Sequence, residues 1–201
     1  MPKILITVIG LMLIGSFLFA QAPNISDSYV QESRANFQSA LDVMLELSSK
    51  DPADSFYKVR IAWLQYLMGK YQEAILTYRA AIALQDNLDA QTGIINCLLA
   101  LGQYSEAITA VDAQLIVHKQ NPTLMSKAAY AAYMSKNYAL AASYYQRMLS
   151  IYPWDMESRG YLVNNLYLAG NVEEARLQYQ SLLKYYPQST IITQYKGVLD
   201  K

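Results

Sequence analysis

The sequence predicts an all-α fold, a solenoid of antiparallel helix pairs, and three observations carry that prediction. A buried-type alanine recurs as Ala74, Ala107, Ala141 and Ala175, at spacings of 33, 34 and 34 residues. A small or polar corner residue recurs in the same register as Gly69, Gly102, Lys136-Asn137 and Gly170. An apolar landmark follows each alanine as Tyr78, Val111, Tyr145 and Tyr179, and Pro122, Pro153 and Pro187 fall between units. A period of this length marks stacked helical hairpins, in which each unit buries its apolar face only against its neighbours.

The first residues read as a separate unit. Met1-Pro2-Lys3 carries one positive charge, Ile4 to Phe19 is an uncharged run of 16 residues, and Ala20-Gln21-Ala22 offers small residues for a cleavage site. This is the pattern of a secretory signal over 1–22. The run is slightly short for a bilayer, which needs about 20 residues, but an uncleaved membrane anchor over 4–19 is the alternative.

The rest, 23–201, reads as one continuous solenoid domain without a linker or low-complexity stretch. Helical spacing of Tyr29, Phe37, Leu41, Met44 and Leu47 up to Asp51-Pro52 predicts one long capping helix over 27–50, with Ser26 or Asp27 as its N-cap. Four units follow at about 55–87, 88–121, 122–155 and 156–187. The predicted helix pairs are 56–68 with 71–84, a second pair ending in 105–118, 123–135 with 138–151, and 156–168 with 173–185. Pro187-Gln188-Ser189 opens a last helix over 189–200, whose Ile191, Ile192, Tyr195 and Val198 close the apolar end of the stack.

Composition excludes several functions. Charged residues make up 16% and the net charge is zero, so the basic stripe that nucleic acid requires is absent. His118 is the only histidine and Cys97 the only cysteine, which leaves neither a disulfide nor a cluster with metal-ligand spacing. Cys97 lies in the apolar run from Ile94 to Leu99, as a buried thiol would, and His118 suits a helix end. Glu173-Glu174 stand where a helix N-terminus favours acids rather than as an acid/base pair, and no Gly-rich phosphate loop occurs. No catalytic residue, metal or cofactor is therefore expected.

These units resemble the tetratricopeptide repeat family. The second-helix landmarks carry the resemblance: Gly69, Tyr71, Ala74, Tyr78 and Ala81; Gly102, Tyr104 and Ala107; Tyr138, Ala141, Tyr145 and Pro153; Gly170, Ala175, Tyr179 and Pro187. First helices depart from it, with Ala62 and Ala129 at the usual small position but Ile95 and Val163 in the other two units, and Val111 replaces the usual aromatic. The resemblance implies a right-handed superhelix whose first helices line a concave groove. On that face would stand Trp63, Tyr66, Asn96, Tyr130, Tyr133, Asn164 and Tyr167, rings and amides suited to an extended peptide or a partner helix. The same spacing also suits rings packed between repeats, so the sequence leaves both roles open. A carboxylate-gripping arrangement known in relatives is incomplete here, since only Asn96 and Lys127 match it. Tyr144, Trp154 and Tyr186, near unit boundaries, form a second candidate surface.

The expected function is a non-catalytic adaptor or scaffold for proteins or peptides in an exported, periplasmic or envelope-associated complex of a bacterium. The alternatives are a peptide-binding or chaperone-like module that uses the aromatic groove, and a membrane-anchored regulator of envelope machinery.

Overall fold

Five backbone corners of one kind set the architecture. Ala35, Gly69, Gly102, Lys136 and Gly170 all take a left-handed conformation, with φ of 59°, 75°, 72°, 61° and 85°. At each corner two amides fold back onto the preceding helix. At the second, Gly69 N–H donates to the Tyr66 carbonyl and Lys70 N–H to that of Gln65, both at 2.9 Å. The pattern repeats at the others, as in Asn36 to Gln31 and Asn171 to Leu166. These bonds satisfy carbonyls that a helix end otherwise leaves without partners, and they turn the chain sharply into the next helix.

The computed structural model describes residues 24–200, and the expected export signal over 1–22 and the alternative anchor over 4–19 lie outside them. Among the described residues the helices are α1 (Ile25–Ser33), α2 (Phe37–Lys50), α3 (Ser55–Leu67), α4 (Tyr71–Leu84), α5 (Leu88–Ala100) and α6 (Tyr104–Val117), followed by α7 (Pro122–Met134), α8 (Tyr138–Ile151), α9 (Met156–Leu168), α10 (Val172–Tyr185) and α11 (Thr190–Tyr195). Each helix packs mainly on its neighbours in sequence, which makes an all-α solenoid of paired antiparallel helices. No helix among the described residues is long and apolar enough to cross a membrane.

Both ends of the stack differ from the sequence expectation. The segment expected as one helix over 27–50 is a further helix pair, α1 and α2, broken at Ala35. Its apolar spacing runs through the break, and alanine does not announce a left-handed corner as glycine does. The N-cap is Asn24 rather than Ser26 or Asp27: its Oδ1 accepts from Ser26 N–H at 2.8 Å, and Asp27 Oδ2 accepts from Asn24 N–H at 2.8 Å. The last helix is shorter than 189–200. It stops at Tyr195, and Gly197, at φ 79°, turns the chain so that Leu199 is fully buried beside Tyr195.

Inside each pair the recurrent alanine is wholly buried against the partner elements. Ala40, Ala74, Ala107, Ala141 and Ala175 are all 0% exposed, so nothing larger than a methyl group separates the helices there. The landmark four residues further on fills the space toward the next pair, as Tyr78, Val111, Tyr145 and Tyr179, all buried. Gly93 on α5 meets the Tyr78 ring directly, and a Cβ at that position would overlap it. In the same core Cys97 is wholly buried, which pushes its thiol up to about 11.

Three outcomes follow from this packing. Gly93→Ala should destabilise the chain by about 1–3 kcal/mol, as overpacking does, and Tyr78→Val in the same chain, matching Val111, should recover part of that loss in thermal unfolding. Lys136→Gly, at an exposed left-handed corner, should raise stability by roughly 0.5–1 kcal/mol, and unchanged unfolding would contradict strain there. The raised thiol keeps its proton through neutral pH, so Cys97 contributes no pH dependence below its unfolded value and stability falls only as pH rises above it. Native protein at pH 8 should resist a thiol reagent that labels it completely once unfolded.

Candidate functional site

Equivalent positions on successive first helices build a wall from the bottom up. Trp63, Asn96, Tyr130 and Asn164 share one position on α3, α5, α7 and α9, and Arg60, Gly93, Lys127 and Tyr161 share the position one turn earlier. Side chains at this spacing lie on one helix face. Along that side runs a series of cavities with shared walls. The first, about 520 Å³, spans α3, α5 and the start of α7, with Phe56, Trp63, Asp89, Asn96 and Thr123 among its walls. Thr123 leads into one of about 240 Å³ beside Ser126, Asp155 and Glu157. Tyr145 and Tyr161 lead on to one of about 390 Å³ that contains Tyr130, Tyr133 and Asn164. A last one of about 320 Å³ lies between Glu157, Gly160 and the start of α11.

The predicted residues divide into packed and open ones. Trp63 is half-buried: its Nε1–H donates to Glu32 Oε1 at 2.8 Å, and its ring stacks on Tyr66 at 5.6 Å between centroids. Tyr66 in turn leans on Tyr71 at 5.4 Å, and burial raises its hydroxyl pKa. Glu32 also pairs with Arg60, whose guanidinium lies 4.6 Å from the Tyr29 ring centre. The α1–α2 pair thus clamps this end of the wall, and Trp63 serves packing while still facing the first cavity.

Asn96 Oδ1 accepts from Lys127 Nζ at 2.6 Å, a bond between successive pairs, and partial burial lowers the Lys127 pKa. At the far end Asn164 Oδ1 accepts from Tyr195 O–H at 2.8 Å, and Tyr167 packs on the Tyr195 ring at 4.9 Å. The last helix therefore covers Tyr167, which is not an open wall. Tyr130 and Tyr133 stay 48% and 41% exposed at the centre, where the Tyr133 ring leans on Tyr138 at 5.6 Å between centroids.

Among the wall residues that sequence reasoning missed are Arg60 and Tyr161. Tyr161 is 47% exposed and stacks on Tyr145 at 5.3 Å, so it forms the wall facing Tyr130 across the third cavity. The signal is in the spacing, since both residues share the register of Lys127, which matches a groove position of the family. Beside Tyr161, Asn165 is 2% exposed; its Nδ2 donates to the Tyr161 carbonyl at 2.8 Å and its Oδ1 has no hydrogen-bond partner.

The second candidate surface needs correction at one residue. Tyr144 is 6% exposed, and its phenol donates to Asp112 Oδ1 on α6 at 2.7 Å. Trp154 is 71% exposed and meets Tyr185 edge-on at 5.5 Å, and Tyr186 is 39% exposed. Among the described residues no group of three or more histidine, cysteine, aspartate or glutamate side chains could hold a metal ion. Cys97, buried and protonated, and His118, capping the end of α6, form no catalytic pair.

Comparison with known proteins agrees with this geometry. Among solved structures, a tetratricopeptide repeat protein from Parabacteroides merdae superposes with a TM-score of 0.73 at 19% identity, covering 87% of this chain and 70% of that one. MamA from Desulfovibrio magneticus gives 0.68 at 15% identity, covering 81% of this chain and 92% of its own. YrrB, described as a tetratricopeptide repeat protein with an unusual peptide-binding site, gives 0.68 at 13% identity, covering 87% and 90%. At these identities the likeness is one of fold. No curated protein sequence matches the chain. The sequence profile of the tetratricopeptide repeat matches residues 65–129 and 132–193, which is more than half of the chain and includes every corner from Gly69 to Gly170. With its paired helices, recurrent alanines and left-handed corners, the chain belongs to the tetratricopeptide repeat family.

Proposed function

We propose that this protein is a non-catalytic adaptor that holds an extended segment of a partner protein along the first-helix side of its stack. The observation that carries the reading is the run of connected cavities with Tyr130, Tyr133 and Tyr161 open at its centre. Half-exposed rings on a rigid helix face gain apolar burial from a partner at little entropic cost, as binding hot spots do. Asn96, Thr92 and Thr123 in the first cavity supply polar atoms that can meet a peptide backbone. YrrB, with the same fold, is described as carrying a peptide-binding site, which favours a peptide over a globular partner.

In this reading the stack is a right-handed superhelix of four full repeats, about 55–187, with the α1–α2 pair and the 189–200 segment as caps, and the cavities lie on its concave side. The low charge content and zero net charge favour a protein partner over nucleic acid. The apolar run over 4–19 directs the chain out of the cytoplasm of a bacterium, to a periplasmic or envelope complex, either cut off there or kept as a tether. Trp154 and Tyr186 provide a second contact surface for a larger assembly.

Copurification from the native envelope identifies the partner. Tyr130→Ala with Tyr133→Ala should then weaken the complex by about 2–4 kcal/mol in calorimetry, while the far-ultraviolet dichroism stays the same because both rings are half exposed. Undiminished binding by the double variant would remove the central groove as the site.

A further inference from the structure

The most unusual group along this wall is Asn165. The equivalent position on α3, α5 and α7 holds Leu64, Cys97 and Ala131, each 0% exposed, so the repeat calls for an apolar side chain there. On α9 it holds a primary amide that is 2% exposed, with its Oδ1 unpartnered. A buried amide oxygen without a donor is costly, and departures of this kind concentrate at functional sites. Asn165 is also a wall residue of the third cavity, and its Nδ2 is already used by the Tyr161 carbonyl.

The rest of that cavity defines what could supply the donor. Its walls are the rings of Tyr130, Tyr133, Tyr145 and Tyr161, with Ile191 and amides, and none of them carries a formal charge, whereas the two adjoining cavities both include Glu157. An uncharged occupant with apolar faces matches this lining, and about 390 Å³ suits a single large side chain with part of its backbone. Aromatic walls favour an aromatic guest. A phenol would bring a hydroxyl with lone pairs to satisfy as well as a proton, but an indole ends in an N–H that only donates. Indole N–H to Asn165 Oδ1 would satisfy both groups and leave neither unpaired.

We propose that the cavity between α7, α9 and α11 is a specificity pocket for a tryptophan side chain of the bound segment, read by stacking on the tyrosines and by one hydrogen bond to Asn165. This rests on the peptide-groove reading above and adds the identity of its anchor.

The test is selection of a random peptide library on the full-length protein, followed by binding measurements on synthetic peptides. The expected result is enrichment of tryptophan at one position. Replacing it by 1-methyltryptophan, which keeps the ring but lacks the N–H, should weaken binding about tenfold. Asn165→Leu, which gives α9 the residue that α3 carries, should lower affinity for the tryptophan peptide by a similar factor and abolish the difference between the two peptides. Because methylation is made on the peptide, the test stands even where the variant folds poorly. Enriched peptides without tryptophan, or equal affinity for both ring forms, overturn the pocket while leaving the groove reading intact. No enrichment of any peptide overturns both.

Discussion

Everything in this fold depends on how closely two helices of one pair can approach. The alanine on each second helix sets that distance, and the left-handed corner ahead of it sets the direction of return. Both recur at the same interval, so every pair presents an almost identical shape to the next and the stack continues without a specified end. The corner is more sensitive to the backbone than to the side chain: Ala35 and Lys136 adopt the same conformation as the three glycines because their helix-end carbonyls need the same two bonds.

Tyrosine is used twice in this architecture. Tyr78, Tyr145 and Tyr179 are buried spacers between pairs, whereas Tyr130, Tyr133 and Tyr161 stand half exposed on first helices. The two groups touch where Tyr145 stacks on Tyr161, so the floor of the third cavity belongs to the core and its rim is open. That contact explains how a soft-looking aromatic surface can be held rigidly. The buried tyrosines have raised pKa values from desolvation and remain neutral, which keeps charge away from the wall.

The two ends of the wall are treated differently. At one end Glu32 binds both Arg60 and Trp63, so the first pair is fastened to the second by a charged and an aromatic contact. At the other, Tyr195 covers Tyr167 and occupies Asn164, and Leu199 seals the apolar end. Between these closures Tyr130, Tyr133 and Tyr161 on α7 and α9 keep half-exposed rings.

The repeated alanines, corners and prolines were enough to locate the helices from residue 55 to residue 185, because stacking repeats impose their spacing on the sequence directly. The same spacing puts Trp63, Asn96, Tyr130 and Asn164 at one position on successive first helices. The break at Ala35 was not legible, since a left-handed alanine has no compositional mark, and its register with Gly69 became evident only once the corner was seen. Nor could periodicity separate exposed rings from packed ones: Trp63, Tyr130 and Tyr167 stand at related positions, yet Glu32 holds the first and Tyr195 covers the last. Tyr144 is buried, and its hydroxyl donates a hydrogen bond to Asp112 on α6. Spacing fixes which face of its own helix a side chain occupies, but what covers that face comes from residues about thirty positions away, and only the assembled stack brings them together.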